Sequence, residues 1–324
     1  MRQIWMRCAS FLWSSLNRAA RFALKQGWLK RVELSARVIS VGNIQAGGAG
    51  KTPLVAQIAQ EAHDQGLSVC ILTRGYLGGW EKTGGVILPS DSNVDPQLCG
   101  DEPALLHELI PFAWIGVGAD RVKQYAQVVE CRNGIPPDLV ILDDGFQNLK
   151  IKKDVEVVAL THYTPGDLVF REGGSALRDA HLLVWTKGEV LPSWVSDLAD
   201  QRLCRVAYAL QEMTKWTLPS RGELRRCWLV TSIADSQSAY DLFVQSGIDI
   251  VKHTALTDHF NYSKESIQSF LKQACAEHLQ IVMTGKDWVK WRAWGVRGSE
   301  VRVFEPKLRW VFGREAWDRV LWGK

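Results

Sequence analysis

The sequence predicts an α/β protein in which a doubly wound, P-loop NTPase-like domain precedes a second, smaller α/β domain. Short apolar segments typical of buried parallel strands alternate with helical patterns from residue 33 to about residue 200. A glycine-dense loop joins the first strand to a helix, and a later aliphatic strand ends in two carboxylates. Together these two features are typical of sheets that bind nucleotides.

The composition indicates a globular protein with reduced thiols. Apolar residues make up 46% of the chain, charged residues 23%, and the formal net charge is +4. Because this charge is mild and accompanies no nucleic-acid-binding motif, we expect no nucleic-acid partner. Seven cysteines without a C-x-x-C pair favour a cytosolic location. The sequence gives no sign of an obligate protein partner.

The first 32 residues predict an amphipathic helix with a basic flank. Its arginines and lysines, with no acid before Glu33, suit an anionic membrane surface. It lacks the ~18 uninterrupted apolar residues of a spanning helix, and its arginines follow the apolar part, unlike those of a signal peptide. Two interpretations stay open: the helix lies on a membrane surface, or it packs on its own domain.

The stretch from Val38 to Pro53 predicts a strand, a phosphate-binding loop and the start of a helix. Glycines let backbone N–H groups face phosphate oxygens, a lysine neutralises phosphate charge, and a threonine hydroxyl can ligate Mg²⁺. Gln45 stands where the strict spacing has glycine, so the loop is a variant. The alternative is a glycine-rich turn with an incidental Lys-Thr. The residues expected to bind nucleotide are Gly47, Gly48, Ala49, Gly50, Lys51, Thr52 and Pro53.

A second motif, at residues 138–147, predicts a strand that delivers acids to a metal. Four aliphatic residues are followed by Asp143 and Asp144, as a buried parallel strand that ends at Mg²⁺ requires. Adjacent side chains on a strand point to opposite faces, so both acids can serve only if the chain turns, which Gly145 permits. The expected metal ligands are Thr52, Asp143 and Asp144.

Three further polar positions are ambiguous on local grounds. Arg74 follows the strand Ser68–Leu72, at the sheet edge where α/β folds bind ligands, but a solvent-facing arginine is equally consistent. Asp101 begins a helix and could be its cap. Asp258 and His259 could be a general base with its orienting partner, or a hydrogen-bonded surface pair.

The strand and helix alternation changes after residue 204, which predicts a domain boundary. Residues 205–216 alternate like an extended strand and residues 219–222 resemble a turn. A second α/β unit follows, with strands expected at 228–232, 248–253 and 279–284 and helices at 236–246 and 263–277. The predicted units are the helix 1–32, the kinase-like domain 33–204, the linker 205–225 and the second domain 226–324.

The motifs resemble those of the tetraacyldisaccharide 4′-kinase family, and they occur in the same order along the chain. The specific pair is GN-x-x-x-GG-x-GKTP at residues 42–53 and DDGFQ at residues 143–147. The resemblance extends from residue 1 to about residue 290. Its other matches are Arg74-Gly75-Tyr76, Gly100-Asp101-Glu102-Pro103, Leu177-Arg178-Asp179, Asp258-His259 and Thr284-Gly285-Lys286-Asp287.

This resemblance implies a function and a location. The family uses MgATP to phosphorylate the 4′-hydroxyl of an acylated glucosamine disaccharide 1-phosphate, in lipid A biosynthesis. It acts peripherally, on the cytoplasmic face of the inner membrane of Gram-negative bacteria. Its two α/β/α domains are joined by a β-ribbon, and the active site lies between them. The implied cofactors are therefore ATP and Mg²⁺, and the implied partners are the acyl disaccharide and an anionic membrane surface.

The resemblance also implies roles for individual residues. Lys51 would hold ATP phosphates, Asp101 would be the base near the sugar hydroxyl, and His259 would be its partner from the second domain. A sugar hydroxyl loses a proton as the phosphoryl group transfers, which an Asp–His pair can accept. Candidates for contact with the substrate are Arg74, Arg121, Gln147 and Arg178.

Three positions depart from the family pattern. Phe260 stands where the family usually has a second histidine, Gly285 stands where it has glutamate, and Asp179 stands where it has glutamate after Leu-Arg. A second hypothesis is a membrane-associated nucleotide switch that hydrolyses ATP without an acyl sugar. In that hypothesis Asp101 and His259 have no role.

Overall fold

The computed structural model describes residues 15–24, 26–45, 48–161, 174–188, 202–217 and 226–324. Its strands are β1 (Arg37–Asn43), β2 (Val69–Thr73), β3 (Gly85–Ile87), β4 (Trp114–Val117), β5 (Leu139–Asp143), β6 (Val155–Thr161), β7 (Leu182–Lys187), β8 (Leu203–Glu212), β9 (Cys227–Thr231), β10 (Ile250–Ala255), β11 (Gln280–Thr284) and β12 (Val301–Phe312). They form one sheet in the order β10-β9-β11-β12-β8-β7-β6-β1-β5-β2-β4-β3.

Helices cover both faces of this sheet. They are α1 (Lys51–Asp64), α2 (Trp80–Thr83), α3 (Pro96–Cys99), α4 (Asp101–Leu109), α5 (Arg121–Cys131), α6 (Ser236–Gln245), α7 (Lys264–Glu277), α8 (Gly285–Ala293) and α9 (Arg314–Trp322), with a 3-10 helix at Gly174–Asp179. The predicted α/β class is confirmed. Most predicted strands and helices agree with the observed ones to within two residues, whereas α2, β3, α3, α8, β12 and α9 had no prediction.

The first half of the sheet, strands β1 to β7, is parallel except at its edge strand β3. β1 lies between β5 and β6, and β2 pairs with β5 and β4, all in parallel. β1 and β2 are therefore parallel, as expected, but β5 separates them. Because these strands are parallel, their carboxyl ends come together at one edge of the sheet.

A long antiparallel pair joins the two halves. β12 runs antiparallel to β8, while its other side pairs in parallel with β11. β8 also pairs in parallel with β7 of the first half. Extended backbone is thus found over residues 205–212 of the predicted linker, and its partner strand comes from the far end of the chain. The predicted turn at 219–222 lies outside the described residues.

The last helix packs on the first half, which differs from the predicted grouping of residues 226–324. Trp317 and Leu321 of α9 are fully buried in the same core cluster as Ile39 and Leu54. The Glu61 carboxylate on α1 accepts hydrogen bonds from Trp317 Nε1 at 2.8 Å and from Trp322 Nε1 at 2.7 Å, and it pairs with Arg314 at 2.7 Å. The local sequence pattern does not show which half an amphipathic segment packs against.

Residues 15–24 are helical and dock beside the DDGFQ turn. Arg21 is buried, donates to the Phe146 carbonyl at 3.1 Å and pairs with Asp179 at 3.3 Å. Residues 1–14 lie outside the described part, so the predicted amphipathic helix over 1–32 stays a prediction. Among the residues that the structure describes, no helix is long and apolar enough to cross a membrane.

Candidate functional site

A cleft of about 1590 Å³ lies between the two halves of the protein. Its first wall is formed by the phosphate loop and the strand ends of the first half. Its second wall is formed by β8, α6, the loop that follows β10, the start of α8 and part of β12. The predicted site residues that line it are Gly48, Ala49, Gly50, Lys51, Thr52, Pro53, Arg74, Arg121, Asp143, Asp144, Gln147 and His259.

The phosphate loop turns through a left-handed residue into α1. Gly50 has φ 69°, and a Cβ there would collide with the Tyr208 hydroxyl, which donates to the Gly50 carbonyl at 3.1 Å. Lys51 is the first helical residue, so the free N–H groups of the α1 N-terminus face the cleft. Gly47 lies outside the described residues.

Gln45, which breaks the strict glycine spacing, anchors the loop. Its Oε1 accepts hydrogen bonds from the Thr161 backbone N at 3.2 Å and from the Thr161 hydroxyl at 2.9 Å. The variant residue therefore ties the loop to the end of β6. A glycine at this position would leave both donors buried without that acceptor.

The two acids after β5 face different groups. The carboxylate of Asp143 is buried and accepts from the Thr73 hydroxyl at 3.0 Å, while Asp144 lies 3.2 Å from Lys51 Nζ. The turn occurs at Asp144 itself, which has φ 52°. Gly145 is required for a different reason: there is no room for a side chain, because a Cβ at this position would lie 2.5 Å from Leu142 Cβ. The prediction that the chain turns here is therefore confirmed, by a different residue.

These acids fit a magnesium ion. Burial, reinforced by the nearby Glu102 charge, raises the pKa of Asp143 to about 6. A cation at the end of β5 would relieve this desolvated carboxylate. Asp143, Asp144 and Thr52 offer the hard oxygen atoms that Mg²⁺ prefers, and Mg²⁺ needs only one or two protein carboxylates when phosphates supply further ligands.

Asp101 and His259 meet across the cleft. Nδ1 of His259 lies 3.1 and 3.0 Å from the two carboxylate oxygens of Asp101. Asp101 is 6% exposed at the start of α4, and His259 stands in front of it with φ 57°. The imidazole also packs edge-on against Tyr76, with ring centroids 5.4 Å apart. The two residues that the sequence left ambiguous thus form one pair, in which Asp101 is buried and His259 is partly exposed.

The charges of this pair support one another. Burial raises the pKa of Asp101, but the hydrogen bond to His259 and the positive charges of Lys286 and Lys290 outweigh it and hold that pKa below the usual value. The same hydrogen bond raises the pKa of His259. Asp101 is consequently ionised at neutral pH, and it stabilises a positive charge on the imidazole.

Helix α8 brings two lysines to this site. Lys286 Nζ lies 3.0 Å from Glu102, and Lys290 Nζ lies 3.8 Å from Asp101. Lys286 belongs to a motif noted in the sequence, but neither lysine was predicted as a site residue. Their spacing of four residues, which places two side chains on one helix face, was the available signal.

The remaining predicted contacts separate into two groups. Arg74 pairs with Glu81 at 2.7 Å, and Gln147 donates to the Asn43 carbonyl at 2.8 Å; both line the cleft. Arg121 also lines it, and burial lowers the pKa of its guanidinium against the opposing effect of the two acids after β5. Arg178 is exposed and lies outside the set of cleft-lining residues.

A further ion pair lines the cleft. Lys187, at the end of β7, lies 2.6 Å from Asp235, the cap of α6. Both residues line the cleft close to Gly48. Neither was predicted, because Asp235 appears in the sequence as an ordinary helix cap.

Comparison with known proteins identifies the family. The family model for Tetraacyldisaccharide-1-P 4'-kinase matches residues 2–323. The tetraacyldisaccharide 4'-kinase of Pelobacter propionicus is 30% identical over 299 residues, which cover 87% of this chain and 81% of that protein. The enzyme of the same name from Cytophaga hutchinsonii is 31% identical over 305 residues, which cover 87% and 83%.

A solved structure has the same fold. It is the "apo" form of LpxK from Aquifex aeolicus in complex with ATP, with 22% identity and a TM-score of 0.72. The alignment covers 99% of this chain and all of that one. Together with the match of the family model over nearly the whole sequence, these findings show that the chain belongs to the tetraacyldisaccharide-1-P 4'-kinase family.

Proposed function

We propose that this protein transfers the γ-phosphoryl group of ATP to the 4′-hydroxyl of a tetraacylated glucosamine disaccharide 1-phosphate, giving the bisphosphorylated lipid. Membership of the family supports the reaction. The observation that carries it for this chain is the pair of Asp101 and His259, which faces the phosphate loop across the cleft.

The first wall of the cleft suits the nucleotide. Backbone N–H groups of residues 48–52 and the Lys51 ammonium bind the ATP phosphates. Thr52 and the acids Asp143 and Asp144 would hold Mg²⁺, which neutralises charge on the transferring phosphoryl group when it is bound. Arg121 and Arg74 lie on the same wall and supply further positive charge for substrate phosphates.

The second wall suits the acceptor hydroxyl. His259 lines the cleft and Asp101 lies behind it, so the imidazole is the group that meets the sugar. As the hydroxyl oxygen bonds to the γ-phosphorus, the bond from that phosphorus to the ADP oxygen breaks and the hydroxyl proton moves to His259 Nε2. Asp101 holds Nδ1–H and stabilises the imidazolium that forms. The sequence-based hypothesis gave the proton to Asp101 itself; the order of the two side chains favours this division of roles.

We also propose that the protein works at an anionic membrane surface, on the cytoplasmic face of the bacterial inner membrane. The acyl chains of the substrate require a lipid phase. Large apolar side chains are exposed within the basic segment 1–32, among them Leu16, Phe22 and Trp28, which are 67%, 54% and 73% exposed. Such residues suit the interface between headgroups and acyl chains.

The test is a transfer assay with purified protein, MgATP and the monophosphorylated acyl disaccharide in mixed micelles. We expect a product with one more phosphate, formed only when the disaccharide is present. The nucleotide-switch hypothesis instead predicts ATP hydrolysis that is indifferent to the disaccharide. Folded protein that hydrolyses ATP but forms no such product would refute the kinase proposal.

A further inference from the structure

A buried carboxylate that the proposed mechanism does not use lies at the N-terminus of α8. Glu305 of β12 is 8% exposed and lines the cleft beside Thr284 and Lys286. Its Oε1 accepts a hydrogen bond from the Gly285 backbone N at 2.5 Å. Burial raises the pKa of this carboxyl to about 7, with Asp287 adding to the rise and Lys286 opposing it. Burying a carboxylate costs free energy, so we asked which contacts of Glu305 offset that cost.

The Glu305 carboxylate occupies the space where a side chain at position 285 would begin. A Cβ on Gly285 would lie 2.5 Å from Glu305 Oε1 and 2.8 Å from Leu105 Cδ1. Positions 285 and 305 therefore cannot both carry a side chain here without movement. The start of α8 thus has two buried carboxylates, its own Asp287 in the first turn and Glu305 from β12.

The first two turns of α8 place positively charged side chains at the second wall of the cleft, which we call the acceptor wall because the proposed acceptor hydroxyl binds there. Lys286, the next residue, pairs with Glu102 at 3.0 Å, and Lys290 one turn later lies 3.8 Å from Asp101. Leu105, the other side chain that a Cβ on Gly285 would strike, belongs to helix α4. The same helix carries Asp101 and Glu102. A shift of the first turn of α8 would move both lysines relative to the pair formed by Asp101 and His259.

From these contacts we infer that Glu305 is a positioning residue: lodged against Gly285, its carboxylate takes the place of a side chain at 285 and holds Lys286 and Lys290 at the acceptor wall. The inference rests on the proposed kinase function, because it concerns the acceptor half of that site. It assigns no contact between Glu305 and ATP.

The experiment is a double-mutant cycle with G285E, E305A and the double variant, measured in the mixed-micelle transfer assay. We expect each single variant to lose at least about tenfold in kcat/KM for the disaccharide, because the lysines are displaced. The KM for ATP should stay within about twofold of wild type, since the phosphate loop is untouched. The double variant should return to within about threefold of wild type, because E305A frees the space that the glutamate introduced by G285E needs and that glutamate replaces the lost carboxylate. E265A removes an exposed acid from the first turn of α7 and is the matched control, with unchanged kinetics.

Two results would overturn the inference. The first is a loss of kcat/KM in the double variant that equals the product of the two single losses. The second is a fall in the melting temperature of the single variants with unchanged kcat/KM for the disaccharide. E305Q keeps an acceptor oxygen for the Gly285 N–H and serves if E305A does not fold; it should stay within about threefold of wild type, and a tenfold loss would contradict positioning. If the wild-type protein forms no product, the proposed function fails instead, so the two failures are distinguishable.

Discussion

Nδ1 of His259 lies 3.0 Å from Oδ2 of Asp101, although 158 residues of chain separate them. Asp101 begins α4 in the first half of the protein, and His259 lies in the loop after β10 in the second half. The pair therefore exists only while the two halves face each other as they do here. Proton transfer and the closeness of the two halves depend on the same contact.

Replacing Asp101 by Asn tests the support that this carboxylate gives to the imidazole. D101N keeps the side-chain volume but removes the charge that stabilises the imidazolium, so we expect kcat to fall by about a hundredfold or more. The ATP dissociation constant should stay within about twofold, because Asp101 lies behind the acceptor wall. Transfer kinetics and ATP titration check this. Under the nucleotide-switch hypothesis, D101N would behave like wild type.

The pH profile of kcat/KM follows from the pKa shift at His259. The mechanism needs a neutral imidazole, and the hydrogen bond to Asp101 raises its pKa. Activity should therefore decline as the pH falls through that raised value. In D101N the raising interaction is lost, so the acidic limb of the residual activity should move to lower pH. An acidic limb that stays in place or moves upward would contradict the assignment.

Lys51 should matter for transfer more than for stability. K51A removes the ammonium that lies beside Asp144 and that we propose binds the ATP phosphates, so we expect kcat/KM for ATP to fall by about a hundredfold or more. K82A, which removes an exposed lysine of α2 in the same half, is the control and should leave the kinetics unchanged. Steady-state kinetics against ATP concentration give the answer. Equal behaviour of the two variants would argue against the phosphate loop as the nucleotide site.

Alanine substitutions at Gly50 and Gly66 distinguish the effect of backbone strain on stability from the effect of a new side chain on ATP binding. Gly50 and Gly66 both have positive φ, 69° and 79°, so alanine at either position costs roughly 1–2 kcal/mol of folding stability. Only at position 50 would the new Cβ strike Tyr208, whereas nothing lies within 4 Å at position 66. We therefore expect G50A to weaken ATP binding at least about tenfold and G66A to leave it unchanged. Thermal denaturation and ATP titration measure the two effects; similar ATP affinities would contradict this account of the loop.

Glu61 should anchor the C-terminal helix. It accepts hydrogen bonds from two tryptophan indoles and pairs with Arg314, so E61A leaves three donors of α9 without their acceptor. We expect a loss of about 2–4 kcal/mol in the free energy of unfolding. Q60A changes an exposed neighbour on α1 and should stay within about 0.5 kcal/mol of wild type. Denaturant unfolding measures both, and equal stabilities would show that α9 is held by apolar packing alone.

Local patterns predicted most of what lies in the first half. The phosphate loop and the acids at residues 143–144 could be found because each is a short motif whose chemistry dictates its spacing. The buried parallel strands were visible as continuous apolar runs. The family resemblance then connected Asp101 with His259, which their local sequences had left open.

What the sequence did not reveal depends on contacts between distant segments. The pairing of β12 with β8 and the docking of α9 on α1 are set by the three-dimensional path of the chain, which local periodicity does not encode. The same holds for Lys290 and Glu305. Each looks ordinary in its own segment and acquires a role only where α8, β12 and α4 meet.

The central claim is that His259 takes the proton from the acceptor hydroxyl while the phosphate loop holds ATP. The most direct measurement is transfer of label from γ-labelled ATP to the disaccharide by wild type and H259N, with ATP affinity measured on the same preparations. We predict labelled disaccharide from wild type, a loss of about a hundredfold or more in kcat for H259N, and ATP affinity within about twofold. Transfer by H259N within threefold of wild type would contradict the claim, as would a loss explained entirely by weaker ATP binding.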